Sequence, residues 1–192
     1  SSDLKGEEVT SFRKYVIVTQ KSTSDDTRRI KIKQPQTYSY LVNHSAWFDK
    51  RGSVIYRKRP KFCIFGIGSY SFQQYKIAIA GLYKSTRFSL VKPMDNKCVM
   101  LDDTCYLLGF DNEDTANCVL KILNSEIVQR FMKSLVFYDA KRSINKDLLM
   151  RIDLEKAAKN LYTADLLSET EYDIVMSCFE RKTELQSLPL FA

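Results

Sequence analysis

Acidic residues are missing from one long stretch of this chain. Between Lys50 and Lys92 there is no Asp or Glu, while ten Lys or Arg fall there. The whole chain has a formal net charge of only +7, so this segment alone exceeds the entire excess. Histidine is nearly absent too. The single His44 leaves little scope for imidazole acid–base or metal chemistry, and beside Trp47 it reads as a turn or packing residue. The five cysteines, Cys63, Cys98, Cys105, Cys118 and Cys178, form none of the close pairs that a zinc site uses. Odd in number and set mostly in apolar runs, they read as small hydrophobes of a reducing, cytoplasmic compartment. No apolar run nears the ~20 residues of a membrane span, and no charged-then-apolar signal peptide opens the chain. The chain begins Ser1-Ser2-Asp3 without an initiator Met, as a processed or excised piece of a longer protein would.

Between the charges of residues 50–92 stand Tyr56, Phe62, Phe65, Tyr70, Phe72, Tyr75, Tyr83 and Phe88, with the paired amides Gln73 and Gln74. Basic side chains release counterions from a phosphate backbone. Amides and guanidinium groups read base edges bidentately. The plain alternative is a solvated basic face over an ordinary core, but the lack of any compensating acid favours nucleic acid. Residues 93–126 reverse the sign, with seven acids against Lys97 and Lys121. Such segregation suits a protein that keeps its acids off a polyanion.

A chain of 192 residues, 44% hydrophobic and 28% charged, is long and apolar enough for one folded domain. The reading is a single domain over 1–192, its core at about 14–154 and a helical segment at about 155–192. Residues 14–20 are β-branched and aromatic and predict a buried strand; 29–33 alternate basic with Ile30 and Ile32, as a half-exposed strand would. Pro35 breaks that run, and a short amphipathic helix is predicted in 37–50. Strands are predicted at 61–67, 75–83 and 88–91, with apolar runs at 98–101 and 104–110. Helices come next: one striped by Ala116, Val119, Leu120 and Leu123, and one by Ile127, Val128, Phe131 and Leu135, with Asn124-Ser125 breaking and capping between them. Residues 135–138 suit a strand, 139–146 a basic loop, 148–154 a return to the core and 155–162 a short helix. Ser168-Glu169-Thr170-Glu171 is a capping box for a last helix to about Lys182. Strands first and helices later predict an α+β fold, a mixed sheet with packed helices.

Two motifs suggest chemistry. Phe65-Gly66-Ile67-Gly68 comes after a predicted strand, but a nucleotide loop needs a helix next and an acid some ~20 residues on. The next element reads as a strand and the first acid is Asp95, so a bulge or tight turn is the better account. Asp139 and Lys141 after an apolar run resemble half of a metal-dependent nuclease site, with Asp102 or Asp103 as a further oxygen ligand. A nuclease on Asp139 and Lys141, or a nucleic-acid or protein-interaction module without sequence preference, are the competing readings.

The run from Lys14 to Asp153 resembles the C-terminal target-recognition domain of adenine-specific DNA methyltransferases from bacterial restriction–modification systems. The residues that carry this are Tyr15-Val16-Ile17-Val18-Thr19-Gln20-Lys21, Arg59-Pro60-Lys61-Phe62 on to Tyr70-Ser71-Phe72, and Tyr75-Lys76-Ile77-Ala78-Ile79-Ala80-Gly81-Leu82-Tyr83-Lys84. Val99-Met100-Leu101-Asp102-Asp103-Thr104-Cys105-Tyr106 comes next, then Asp139-Ala140-Lys141-Arg142 through Leu149-Met150-Arg151-Ile152-Asp153. The resemblance implies a specificity module that places an N-terminal catalytic domain, using S-adenosylmethionine, on double-stranded DNA. The chain lacks the Asn-Pro-Pro-aromatic loop of those enzymes, since Pro35, Pro60, Pro93 and Pro189 are all isolated. It therefore reads as a monomeric specificity part with no catalytic residues, no bound metal and no cofactor of its own. The expected DNA contacts are Arg57, Lys58, Lys61, Lys76 and Lys84 on phosphates, Ser69, Tyr70, Ser71, Gln73 and Gln74 toward base edges, Lys141 and Arg142 in support, and Arg59 and Arg87 as further basic contacts.

Overall fold

A computed structural model describes residues 3–22, 24–83, 85–137, 139 and 142–184 of the chain. The sequence reads as one domain; the described chain divides into two compact units, Arg13–Ser71 and a second built from Ser1–Phe12 with Phe72–Ala192.

The unit Arg13–Ser71 contains helices α1 (Arg29–Lys33), α2 (Pro35–Asn43) and α3 (Ser45–Asp49), and no strand among its described residues. Its apolar centre is small. Phe62 is buried and meets Tyr38 edge-on at 5.9 Å and Phe48 at 5.1 Å, with Leu41 and Cys63 also buried. Residues 14–20 are not the expected buried strand. They pair with no strand among the described residues, and Tyr15 to Val18 are exposed. The end of the segment is held by side chains: the Gln20 amide accepts from Ile64 N–H at 3.1 Å and donates to Ile64 O at 2.8 Å, while Thr19 Oγ1 donates to Phe62 O at 2.7 Å. The expected strand at 61–67 is likewise a succession of turns. The alternating run 29–33 forms helix α1, leaving Ile32 86% exposed. The Asp26 carboxylate accepts from Arg28 N–H at 3.0 Å just before it. Pro35 does not end a strand; it opens α2, where its fixed φ is helical and its missing N–H costs nothing. His44 is indeed a turn residue, its Nδ1 2.7 Å from Tyr40 O and its ring 4.2 Å from that of Tyr40.

The second unit is α+β. Strands β1 (Glu8–Val9), β2 (Tyr75–Ala80), β3 (Ser89–Val91) and β4 (Cys105–Phe110) form a mixed sheet in the order β1-β3-β2-β4. β1 runs parallel to β3; β2 is antiparallel to both β3 and β4. Residues 75–83 and 88–91 form strands as expected, each trimmed at one end; of the two apolar runs, 104–110 forms β4 and 98–101 no strand. The helices are α4 (Glu113–Leu123), α5 (Glu126–Leu135), α6 (Lys146–Leu149), α7 (Leu154–Thr163) and α8 (Glu169–Glu184). Ile77, Ile79 and Leu108 of the sheet and Phe88 just before β3 share a core with Val119, Ile122 and Leu123 of α4 and Val128 and Met132 of α5, which α6 to α8 extend. The end signals are realised in bonds. Asn112 Oδ1 accepts from Thr115 N–H at 2.8 Å, and Ser168 and Glu171 exchange capping-box bonds at 2.8 and 3.2 Å. Ser125 differs from expectation: its hydroxyl donates back to Ile122 O at 2.6 Å and caps nothing in α5. Residues 135–137 continue out of α5 without forming a strand, and Tyr138 lies outside the described residues.

One buried polar side chain joins α5 to the chain between the strands. Gln129 accepts from the Thr86 hydroxyl at 2.8 Å and donates to Thr86 O at 3.0 Å and Leu123 O at 2.9 Å. Replacing it would leave three buried groups without partners, each costly in low dielectric. Gln129→Ala is expected to lower the free energy of unfolding in urea by about 2–4 kcal/mol. A loss below about 0.5 kcal/mol would show that water replaces the amide without cost.

Candidate nucleic-acid interface

Charge divides by unit. Arg13–Ser71 contains thirteen Lys or Arg against three acids, a net +10; the rest of the chain contains seventeen against twenty, a net −3. All three acids of the basic unit are engaged. Asp25 accepts from Ser22 Oγ at 2.7 Å and from Lys21 N–H at 2.9 Å, Asp26 pairs with Arg28 at 2.9 Å, and Asp49 lies 3.2 Å from Lys61 Nζ. These bonds hold the Asp25 and Asp26 carboxyls below their ordinary pKa, through the Ser22 and Arg28 side chains respectively.

Arg57, Lys58 and Arg59 come directly after a 3-10 turn, Val54–Tyr56, whose N-cap Ser53 accepts from Ile55 N–H at 3.3 Å. Two more turn bonds, Arg57 N–H to Val54 O and Arg59 N–H to Tyr56 O, both 3.2 Å, carry the chain through them. All three side chains are exposed, and none forms a salt bridge among the described residues. Lys61 is exposed but shares its charge with Asp49. The unit also spends a cation internally: Arg51 lies 4.4 Å from the ring centroids of both Phe48 and Tyr56 and donates to Cys63 O at 2.6 Å.

The loop expected to read bases is more closed than its composition suggests. Tyr70 donates its hydroxyl to Gly66 O at 2.8 Å, and Ser71 is buried with its Oγ accepting from Gly68 N–H at 3.3 Å. Of this stretch Ser69 and Gln74 are exposed. Gly68 makes room for a side chain of its own loop: a Cβ there would stand 2.5 Å from the Tyr70 ring. The glycines lead into a 3-10 turn and then a strand, without a helix N-terminus to receive a phosphate.

The structure corrects the role of Lys76. It stands on β2 opposite Gly109 of β4, is wholly buried, and donates to Gln73 O and to Val99 O, the latter at 2.9 Å. Burial pushes its pKa down. An ammonium with no exposed surface cannot meet a phosphate, so Lys76 is a structural cation. Gln73 is held nearby: a Cβ on Gly109 would stand 2.5 Å from Gln73 Cγ, so the absence of a side chain at 109 admits that of Gln73. Arg87 is exposed but pairs with Glu7 at 3.3 Å and donates to Asn124 O at 3.1 Å. Arg142 is exposed, and Lys84 and Lys141 lie outside the described residues. The exposed Asp139 joins no group of three potential metal ligands among the described residues.

The chain is 44% identical over 146 residues to the type II methyltransferase M.NspV of Nostoc sp. (strain ATCC 29411 / PCC 7524). The chain is related to a methyltransferase. The match takes in 76% of this chain but only 30% of that protein, so the chain spans less than a third of its relative. No family model matches the chain, and no solved structure does.

Lys76 offers a direct check of its corrected role. Lys76→Ala opens a cavity and orphans two carbonyls, and is expected to cost about 2–4 kcal/mol in urea unfolding. Because the folded-state pKa lies below the unfolded one, the unfolded chain binds more protons between the two. Wild-type stability should thus rise as pH climbs through that window toward the ordinary lysine value, and the rise should be missing in Lys76→Met. Parallel pH profiles for the two proteins would mean that the ammonium keeps its ordinary pKa.

Proposed function

We propose that this chain is the specificity module of an adenine-specific DNA methyltransferase in a bacterial restriction–modification system, and that it binds double-stranded DNA without chemistry of its own. The observation that carries this reading is the concentration of positive charge in Arg13–Ser71, with Arg57, Lys58 and Arg59 exposed there and in no salt bridge among the described residues. The similarity to a methyltransferase over a minor part of that protein's length supports it. Methyl transfer needs a donor and a catalytic centre, and both would belong to the portion of the parent enzyme outside this chain. The nuclease alternative has no such support, since the described residues bring no third ligand to Asp139.

Arg57, Lys58 and Arg59 would neutralise phosphates and set the register of the module on the duplex, which carries no sequence information by itself. Lys61 and Arg87 each have an acid partner to exchange for a phosphate, so their contribution would be smaller. Gln74 and Ser69 are the exposed hydrogen-bonding side chains of the 69–74 stretch and would reach base edges; Gln74 suits the N6 and N7 of adenine. Tyr70, Ser71 and Gln73 would keep that stretch in shape.

Binding to duplex DNA is expected to weaken by ~0.9 log units per log unit of salt for each phosphate neutralised. The triple variant Arg57→Ala, Lys58→Ala, Arg59→Ala should flatten that slope by roughly 2.7, measured by anisotropy of a labelled duplex. An affinity indifferent to salt, or an unchanged slope in the triple variant, would remove the phosphate role. Once a site has been selected from random duplexes, Gln74→Ala should lose about 1–3 kcal/mol of discrimination while keeping its affinity for unrelated DNA. Full discrimination in that variant would place base reading elsewhere.

A further inference from the structure

The only tryptophan of the chain, Trp47, stands in the middle of α3 with 72% of its surface exposed. Its neighbour Phe48 is by contrast half-buried, edge-on to Phe62, with the Arg51 guanidinium on its face. The larger indole is left in water, although burying it would be among the most favourable contacts available. Its ring faces a cation, the Lys50 ammonium 5.3 Å from the centroid. The surrounding unit has a net charge of +10, and its three carboxylates are already bonded to Ser22, Arg28 and Lys61. An exposed, flat aromatic side chain beside a cation, with no competing acid, matches one ligand chemistry well. It suits a nucleobase face flanked by a phosphate.

We propose that Trp47 and Lys50 form a stacking contact for a DNA base that has left the duplex stack, the indole taking the base face and Lys50 an adjacent phosphate. This rests on the DNA-binding reading above. Enzymes that methylate a base draw it out of the duplex, so DNA engaged by the parent enzyme offers bases whose faces are uncovered. An indole suits that task because every base has a π-face and stacking is tolerant of sequence. Residues that read edges, such as Gln74, would not duplicate it.

Because Trp47 is the sole tryptophan, its fluorescence reports on this position alone. The test titrates the full chain with a fully paired duplex, and with one of equal length in which a single base faces an abasic site. Anisotropy of a label on the DNA tracks binding in parallel. Binding to the second DNA should quench the emission, with the same midpoint as the anisotropy. Trp47→Ala should weaken binding to that DNA by about 5- to 150-fold while changing the affinity for the paired duplex by less than about twofold. Trp47→Phe, which keeps a ring, should recover most of the loss. Circular dichroism should be unchanged in both variants, since the side chain is exposed. Binding with unaltered emission, or an equal loss on both DNAs, overturns the stacking role and leaves the DNA reading standing. Failure to bind either DNA overturns both.

Discussion

Self-repulsion is the constraint on which the Arg13–Ser71 unit is built, because its thirteen basic side chains surround an apolar centre hardly larger than Phe62 and its neighbours. Exposed ion pairs contribute little to cohesion. The unit relies instead on contacts that do not depend on its few acids. The Gln20 amide replaces a strand partner for Ile64, and Arg51 is drawn between two aromatic rings and onto Cys63 O. Holding the fold by amides, rings and backbone carbonyls leaves the cations after the Val54–Tyr56 turn without counter-charges among the described residues. A polyanion can then supply them.

The other unit solves a different problem, the burial of a central strand on both faces. β2 turns Ile77 and Ile79 into the helical core, and Lys76 emerges on the opposite face. A buried ammonium is costly unless bonded, and here its two carbonyl partners come from the chain entering β2 and from Val99. The same arrangement fixes the approach to the strand. Gln73 lies over Gly109 and has its carbonyl on Lys76, so Gln74, one residue further on, is the amide left exposed. The structural cation and the residue proposed to read bases are thus two ends of one local constraint.

The strands expected at 14–20, 29–33 and 61–67 all fall in the basic unit and none is formed there, whereas those at 75–83 and 88–91 are real, and the apolar run 104–110 is a strand beside them. The difference is not in composition. β-branched and aromatic residues favour a strand only where a pleated neighbour gives them something to pack on. Ile77 and Leu108 have that neighbour in each other's strand, while residues 15–18 join no strand pair among the described residues. Helices of the second unit were legible because their apolar stripes and caps are local: Asn112, Asp153 and Ser168 accept the bonds that such residues accept at helix starts.

What the sequence determined by itself is whatever adds up along the chain: the acid-free run from Lys50 to Lys92, the reversal of charge after it, the striped helices and the capping box. What only the tertiary structure decided is which of the charges remain available. Lys76 is lost to β2, Lys61 is shared with Asp49, and Arg87 reaches Glu7, eighty residues earlier in the chain. Arg57, Lys58 and Arg59 stay exposed, and so does Trp47. The physical reason is that charge is a sum over residues, readable in any order, whereas a side chain's freedom depends on partners that folding brings from elsewhere in the sequence.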